Sequence, residues 1–187
     1  MRRRDREMGR EFGLEIIDRS KYGILSMVDE NKEPYGIPLS IVREGNFLYF
    51  HSAREGRKVD IFKKNTNVSL AFVGGVEVPE NYTKSELEEI AKDMSKVSLL
   101  ISNVFTTEFE SVIVKGKVKL IEDEKERTRA MKLICQKYTP TKMEYVDMAL
   151  KAGLSKANVY KIEIENISTK RKKYDKDGKE IKSGKLS

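Results

Sequence analysis

Two short runs of alternating apolar residues, joined by a tight turn, constrain this chain more than any other feature. In the first run every second residue is large and apolar: Tyr35, Ile37, Leu39 and Ile41. After the turn Glu44-Gly45-Asn46, the second run alternates Phe47, Tyr49 and His51 with Leu48 and Phe50. A period of two residues is that of a β-strand. The pattern therefore predicts an antiparallel hairpin with strands at 35–43 and 47–51.

A basic segment follows the hairpin and leads into a predicted helix at 57–65. It contains Ser52, Arg54, Arg57 and Lys58. Backbone N–H groups at the start of a helix attract anions, whereas each cation placed there opposes the helix dipole by about 0.3–1 kcal/mol. A bound anion would explain this placement, so the segment predicts a phosphate site. The alternative interpretation is an ordinary solvated start of a helix.

The rest of the chain supplies four more strands and several helices. Strands are predicted at 23–28, 68–73, 107–121 and 158–167, with a bend or bulge at Gly116 in the longest of them. Helices are predicted at 5–19, from a cap at Asp123 to a stop before Pro140, and at 142–151. Six strands with helices at the ends and in the crossovers predict a mainly β or α+β fold, namely a closed antiparallel barrel with peripheral helices.

A further helix is predicted within an insertion at 78–105. Thr83 and Glu86 have the spacing of a capping box. Apolar residues then recur on one helical face: Leu87, Ile90, Ala91, Met94, Val97 and Ile101. The pattern predicts one amphipathic helix of about five turns at 83–102. It would pack on the barrel or on a second subunit, or it would form a lid over a bound cofactor.

The net charge of +7 is weak evidence for a nucleic-acid partner, because the positive charges are not spread over the whole chain. Residues 1–10 carry five arginines against two carboxylates, and residues 170–187 carry eight Lys or Arg against three carboxylates, so the excess lies at the two ends. A basic binding face would place it on the folded part. We therefore interpret 171–187 as a basic, flexible tail and do not expect nucleic acid as a partner.

Cysteine, histidine and hydropathy restrict the remaining classes. The chain contains one cysteine, Cys135, and one histidine, His51. An intramolecular disulfide is excluded, and a metal site is not expected from this set. No apolar run approaches the length of a membrane span, so we expect a cytoplasmic protein without membrane association.

Three strings, together with the start MRRRDRE, resemble a known family. They are YGILSMVDENKEPYGIPLSIV, LYFHSAREGRKVDIFKKN and EFESVIVKGKVKLI. In this order they resemble the FMN-binding split-barrel proteins of the pyridoxamine 5′-phosphate oxidase-like superfamily, and within it the nitroimidazole-resistance branch. The resemblance covers residues 1–170 apart from the insertion. It implies one FMN-binding split-barrel domain at 1–170, followed by the tail.

The resemblance also implies a cofactor, a partner and a set of site residues. The cofactor is FMN, and the partner is a second copy of the chain, with the cofactor sites at a two-fold interface. The implied ring contacts are the backbones of Pro38, Leu39, Ser40 and Ile41, and the implied phosphate contacts are His51, Ser52, Arg57 and Lys58. Ser111 would lie near the cofactor across the subunit boundary, and His51 is a candidate catalytic residue.

The resemblance implies an oxidoreductase that reduces a small electrophilic, and in one reading nitroaromatic, substrate. Oxidation of pyridoxamine phosphate itself is set aside, because the family members that perform it carry an arginine-rich C-terminal signature, whereas this chain ends in KRKKYDKDGKEIKSGKLS. The alternatives are a non-catalytic barrel that holds flavin or haem, an RNA-binding barrel that uses the basic ends, and a deazaflavin-dependent reductase.

Overall fold

The computed structural model describes residues 3–175 and 178–182, which form one antiparallel sheet surrounded by helices. The strands are β1 Glu7–Met8, β2 Gly23–Val28, β3 Pro34–Leu39, β4 Val42–Glu44, β5 Phe47–Ala53, β6 Asn67–Glu77, β7 Glu108–Leu120 and β8 Ala157–Lys172. The helices are α1 Arg10–Arg19, α2 Arg57–Lys64, α3 Lys84–Lys92, α4 Val97–Leu99, α5 Glu124–Tyr138 and α6 Val146–Gly153. No helix in these described ranges is long and apolar enough to cross a membrane.

The order of the strands closes the sheet into a barrel. Neighbouring strands follow the order β3-β2-β6-β7-β8-β5-β4, and the small β1 pairs with β8. The first and last members of this order, β3 and β4, are separated in the chain by only Ser40 and Ile41. The two edges of the sheet must therefore meet at this dipeptide, which we call the seam. With β3 and β4 taken as one interrupted strand, the barrel has six strands, as the sequence predicts.

The predicted hairpin is wrong in one respect. Residues 35–43 do not form one strand paired with 47–51, because only β4 pairs with β5, whereas β3 pairs with β2. The chain leaves the ladder at Ile41, whose backbone is bound by a side chain instead. The Tyr138 hydroxyl accepts a hydrogen bond from the Ile41 N–H and donates one to the Ile41 carbonyl oxygen, both at 2.8 Å.

The core lies inside the barrel and is closed at one end by α1. Inward-facing residues of the strands are fully or almost fully buried: Leu25, Leu48, Phe50, Leu70, Phe72, Val112, Val114 and Ile162. Ile16 and Ile17 of α1 join them. A second, smaller apolar cluster lies outside the barrel, where Ala130 and Ile134 of α5 cover Tyr49 and Val159. The helix α5 therefore occupies the outer face of β5 and β8.

The predicted bulge at Gly116 is confirmed. The pairing of β7 with β8 shifts its register between Lys115 and Gly116. A Cβ atom at Gly116 would overlap the backbone carbonyl of Glu163, so glycine is required by the close approach of the two backbones. The bulge bends these two long strands around the barrel.

The insertion is not one continuous helix. The capping box of Thr83 and Glu86 is confirmed, and α3 begins where it predicts. The helix ends at Lys92 because the Asp93 carboxylate accepts hydrogen bonds from the N–H and hydroxyl of Ser95, at 3.0 and 2.6 Å, which replace helical bonds. Of the predicted apolar face, Ile90 is buried, but Met94 is 82% and Ile101 is 72% exposed.

The two ends of the chain contact each other and the insertion. Tyr174 and Glu180 pair through an isolated antiparallel bridge, and we call residues 173–175 and 178–181 the C-terminal hairpin. Arg6 donates two hydrogen bonds to the Glu180 carboxylate, at 2.5 and 3.0 Å, and the Tyr174 hydroxyl donates to the carbonyl of Ser102. Only 7% of Tyr174 is exposed. The structured chain therefore continues past the boundary that we predicted at residue 170, while residues 176–177 and 183–187 of the predicted tail lie outside the described residues.

Other boundaries differ at the ends of elements. The helix predicted from residue 5 begins at Arg10, because residues 7–8 pair with β8 and Gly9 is the N-cap. The strand predicted at 68–73 continues to Glu77 through an irregular register between Val73 and Val76. The helix expected at 142–151 is a 3-10 turn at Pro140–Tyr145 followed by α6.

Candidate functional site

The end of β5 and the start of α2 build an exposed polar corner. Leu48 and Phe50 point into the barrel, so His51 points outward and is exposed, whereas Ser52 points inward and is buried. Gly56, with a φ of 117°, turns the chain into α2 in a conformation that side chains disfavour. The predicted basic segment is thus a sharp strand-to-helix connection, and we call residues 51–58 the β5–α2 corner.

The N-terminus of α2 has the features of an anion site. No side chain caps this helix, and the Gly56 carbonyl accepts from the N–H groups of Val59 and Asp60. The N–H groups of Arg57 and Lys58 belong to the first turn and have no intrahelical acceptor. Within residues 3–175 and 178–182, the Lys58 ammonium has no hydrogen-bond or ion-pair partner. An unpaired cation beside free N–H donors suits a phosphate.

Arg57 is placed differently from Lys58. Its guanidinium donates to Asp29 at 3.1 Å and lies 3.4 Å from Glu33, and it stacks over the ring of Tyr35 at 4.6 Å. Together with the hydrogen bond from the backbone of Glu33, this guanidinium lowers the pKa of Asp29. The Arg57 side chain therefore links the β2–β3 turn to α2. The group of Arg57 that remains available to an anion is its backbone N–H.

The surroundings of His51 favour its neutral form. Burial of part of the ring, and then the charge of Lys58, lower the pKa of His51 below its usual value of about 6.5. The ring can therefore accept a proton or a hydrogen bond. It follows that His51 adds no positive charge to that of Arg54, Arg57 and Lys58 in this corner.

The four predicted ring contacts differ in which of their backbone groups are free. Pro38 has no N–H, Leu39 is paired with Gly23 in the ladder, and both backbone groups of Ile41 are bound by Tyr138. Ser40 is exposed, and its N–H, carbonyl and hydroxyl have no hydrogen-bond partner in the described ranges. Val42 is opposite Tyr49 in the β4–β5 ladder, so Ser40 lies two residues before this pair on one strand and His51 two residues after it on the other.

The seam and the β5–α2 corner thus form one candidate ligand site. It offers donors and an acceptor at Ser40, a neutral imidazole at His51 and an anion site at Lys58. Among the described residues, no three His, Cys, Asp or Glu side chains are close enough together to hold a metal ion. The arrangement suits an organic ligand that carries a phosphate group.

The family comparison agrees with the six-stranded barrel. The family model described as pyridoxamine 5′-phosphate oxidase matches residues 10–171, which is most of the chain. The chain belongs to this family. The match begins at the first residue of α1 and ends one residue before the end of β8. No match to the chain was found among the curated proteins.

Solved structures similar to this member of the pyridoxamine 5′-phosphate oxidase family share its fold. A candidate 5-nitroimidazole antibiotic resistance protein from Bacteroides thetaiotaomicron is 23% identical, with 88% of this chain and 86% of that chain covered and a TM-score of 0.66. The flavocytochrome Anf3 from Azotobacter vinelandii is 18% identical, with 94% and 71% covered and a TM-score of 0.66. The FAD and haem binding protein from Mycobacterium smegmatis is 15% identical, with 87% and 71% covered and a TM-score of 0.65.

Ser111 does not lie with the other predicted site residues of this family member. It is on β7, opposite Val73 of β6 and Lys170 of β8, and β8 separates β7 from β5 in the sheet. Its side chain points away from the barrel interior, since its neighbour Val112 is fully buried. Ser111 would therefore have to contact a cofactor that is bound by another copy of the chain. Its role at a cofactor stays a prediction.

Lys137 and Tyr138 are contacts of the seam that the sequence did not point to. The Tyr138 ring packs against the outer apolar cluster. Its hydroxyl, however, binds Ile41, and the Lys137 ammonium donates to the same carbonyl at 2.9 Å. The one available signal was that a buried tyrosine hydroxyl usually has a hydrogen-bond partner.

Proposed function

We propose that this protein binds FMN at the seam and the β5–α2 corner and acts as an oxidoreductase on a small electrophilic substrate. The observation that carries the proposal is the pair formed by Lys58, whose ammonium has no partner in the described part of the chain, and the uncapped N-terminus of α2. This pair fits one phosphate group, which supports a mononucleotide. A bound flavin would supply electron-transfer chemistry that amino-acid side chains lack.

Different residues of the site would bind different parts of the ligand. Lys58 and the first N–H groups of α2 would hold the phosphate, and the free polar groups of Ser40 would face the polar edge of the flavin ring. His51 lies two residues beyond the β4–β5 pair of Val42 and Tyr49, and it is close enough to Lys58 for the ammonium to lower its pKa. A neutral imidazole in this position is suited to exchanging a proton with a substrate.

We further propose a homodimer with a two-fold axis. Four residues on the outer face of the barrel form a row across neighbouring strands, which we call the outer apolar row: Pro38, Ile24, Ala71 and Ile113. Pro38 is exposed and Ile113 is 40% exposed. Ser111 lies two residues before Ile113 on β7, and its side chain is on the same outer face of the barrel. Pairing of this face with its copy would cover the row and would bring the partner's β7 toward the ligand.

A visible absorption spectrum of the purified protein tests the cofactor. We expect the bands of an oxidised flavin, and a titration of the cofactor-free protein with FMN should saturate at one FMN per chain. A strong haem band with no flavin would contradict the proposal, as would the absence of FMN binding. The names of the similar flavocytochrome and of the FAD and haem binding protein make haem the comparison to include.

Turnover is tested separately from binding. The FMN-loaded protein would be reduced anaerobically with dithionite and then mixed with a nitroimidazole, the class of drug named for the Bacteroides protein. We expect the nitro compound to reoxidise the flavin faster than it reoxidises free reduced FMN. Equal rates would leave FMN binding intact and contradict the proposed reductase activity.

The insertion is proposed to restrict access to the site. It leaves β6 at Glu77 and returns at Glu108, three residues before Ser111. Replacing residues 79–103 with a short Gly-Ser linker is expected to leave a folded dimer that binds FMN and accepts a wider range of electron acceptors. The rates with acceptors of increasing size measure this. An unchanged range of acceptors would contradict the lid, and loss of the cooperative unfolding transition would show that the insertion belongs to the core.

A further inference from the structure

The seam is held by the last two residues of α5. Ile41 lies between β3 and β4, and its side chain is fully buried. Its N–H and carbonyl are therefore outside the ladder in a place that water does not reach freely, and such groups need partners. Tyr138 binds both of them at 2.8 Å, and Lys137 adds a hydrogen bond to the carbonyl at 2.9 Å.

The hydrogen bond from the Ile41 N–H also fixes the neighbouring carbonyl. This N–H and the Ser40 carbonyl belong to one trans peptide group, in which they point in opposite directions. Because the N–H points at Tyr138, the Ser40 carbonyl must point away from the end of α5. Among the described residues this carbonyl has no donor, so it is an oriented and unused acceptor in the exposed seam.

Lys137 anchors the same peptide segment to α1. Its ammonium bridges the Ile41 carbonyl and, at 3.1 Å, the carbonyl of Ile17 in the last turn of α1, where a cation is favoured. Burial lowers the pKa of Lys137, with the charge of Asp18 acting in the opposite direction. Three elements, α1, α5 and the seam, are thus joined at one side chain.

We propose that Tyr138 and Lys137 are positioning residues of the ligand site, which hold the Ser40 carbonyl so that it accepts a hydrogen bond from the ring N–H of the flavin. The pyrimidine ring of a flavin carries one N–H between two carbonyls, and it therefore needs one acceptor at this edge. The Ser40 carbonyl is the seam's unused backbone acceptor. The inference rests on the proposed FMN site and assigns to two residues of α5 a role that they exert through Ile41.

A flavin that lacks the ring N–H distinguishes a positioning role of Tyr138 from a general effect of Tyr138 on the stability of the protein. The dissociation constants of FMN and of 3-methyl-FMN, in which a methyl group replaces that hydrogen, would be measured with the native chain and with Tyr138→Phe. Loss of one oriented hydrogen bond is expected to weaken FMN about tenfold in Tyr138→Phe. The same substitution should change the affinity for 3-methyl-FMN by less than about twofold, because the hydrogen bond is already missing there.

Matched variants complete the experiment. Tyr145→Phe removes the hydroxyl of an exposed tyrosine and should change neither affinity. Lys137→Met should reproduce the ligand-dependent loss in smaller degree, and it replaces Tyr138→Phe in the comparison if that variant does not fold. Equal losses for both ligands would reduce Tyr138 to a structural role and overturn the inference alone. A native chain that binds neither flavin would overturn the proposed function and this inference with it.

Discussion

Replacing Lys58 with alanine is expected to weaken FMN binding about ten- to a hundredfold and to leave riboflavin binding unchanged. A charge-assisted hydrogen bond contributes roughly 1.5–3 kcal/mol, which corresponds to that range of affinity. Riboflavin lacks the phosphate, so it should bind the native chain more weakly than FMN and should not respond to the substitution. Fluorescence titration of both ligands with both proteins measures the four constants.

Lys63→Ala is the matched control for this prediction. Lys63 lies on the same helix, but in its last turn, where it pairs with Asp60 at 3.1 Å. It should change the affinity for FMN by less than about twofold, since exposed ion pairs contribute little. If Lys58→Ala and Lys63→Ala have the same effect, or if the native chain binds FMN and riboflavin equally, the phosphate is not held at the N-terminus of α2.

The second large effect is expected from a charge in the outer apolar row. Ala71 lies between Ile24 and Ile113 in this row and points away from the barrel interior. Ala71→Glu should therefore leave the barrel folded. In a two-fold dimer it would bury an unpaired carboxylate from each copy, at a cost of several kcal/mol per ion. We expect the variant to sediment as a monomer at micromolar concentration and to lose most of its FMN.

Gln136→Glu provides the control for the dimer. It introduces the same change of charge on the exposed side of α5 and should sediment as the native chain does. Circular dichroism would establish that both variants keep the fold. A dimeric Ala71→Glu variant would place the interface elsewhere, and a monomer that retains FMN would show that one chain forms the whole site.

Local periodicity predicted most of the architecture because each strand has a buried and an exposed face. The six barrel strands, the cap at Asp123 and the bulge at Gly116 all follow from patterns within a few residues of one another. The break at Ile41 does not, because the partner that removes it from the ladder is Tyr138, 97 residues further along the chain. A run of residues that alternates between apolar and polar without interruption can thus pair with one strand in its first half and with another strand in its second half.

The site was predicted less completely than the fold, for a related reason. Charge and spacing mark Arg57 and Lys58 equally, but only Arg57 has Asp29 and Tyr35 within reach, and that depends on how the β2–β3 turn folds back. In the insertion, the 3.6-residue spacing of apolar residues continues past Asp93 in the sequence. The helix nevertheless ends there, because the Asp93 side chain forms a local turn with Ser95 that the spacing of apolar residues does not predict. Competition between side chain and backbone decided that boundary.

The contacts at the chain ends have an evolutionary consequence. Arg6 holds Glu180, the Tyr174 hydroxyl binds the backbone of Ser102, and Gly178 lies near the ring hydroxyl of Tyr82. The N-terminal segment, the insertion and the C-terminal hairpin thus depend on one another, although the sequence separates them widely. A lineage that discarded the insertion would expose Tyr174 and remove an acceptor from its hydroxyl. Selection is therefore expected to keep or lose these three segments together, while the barrel strands between them diverge under separate constraints.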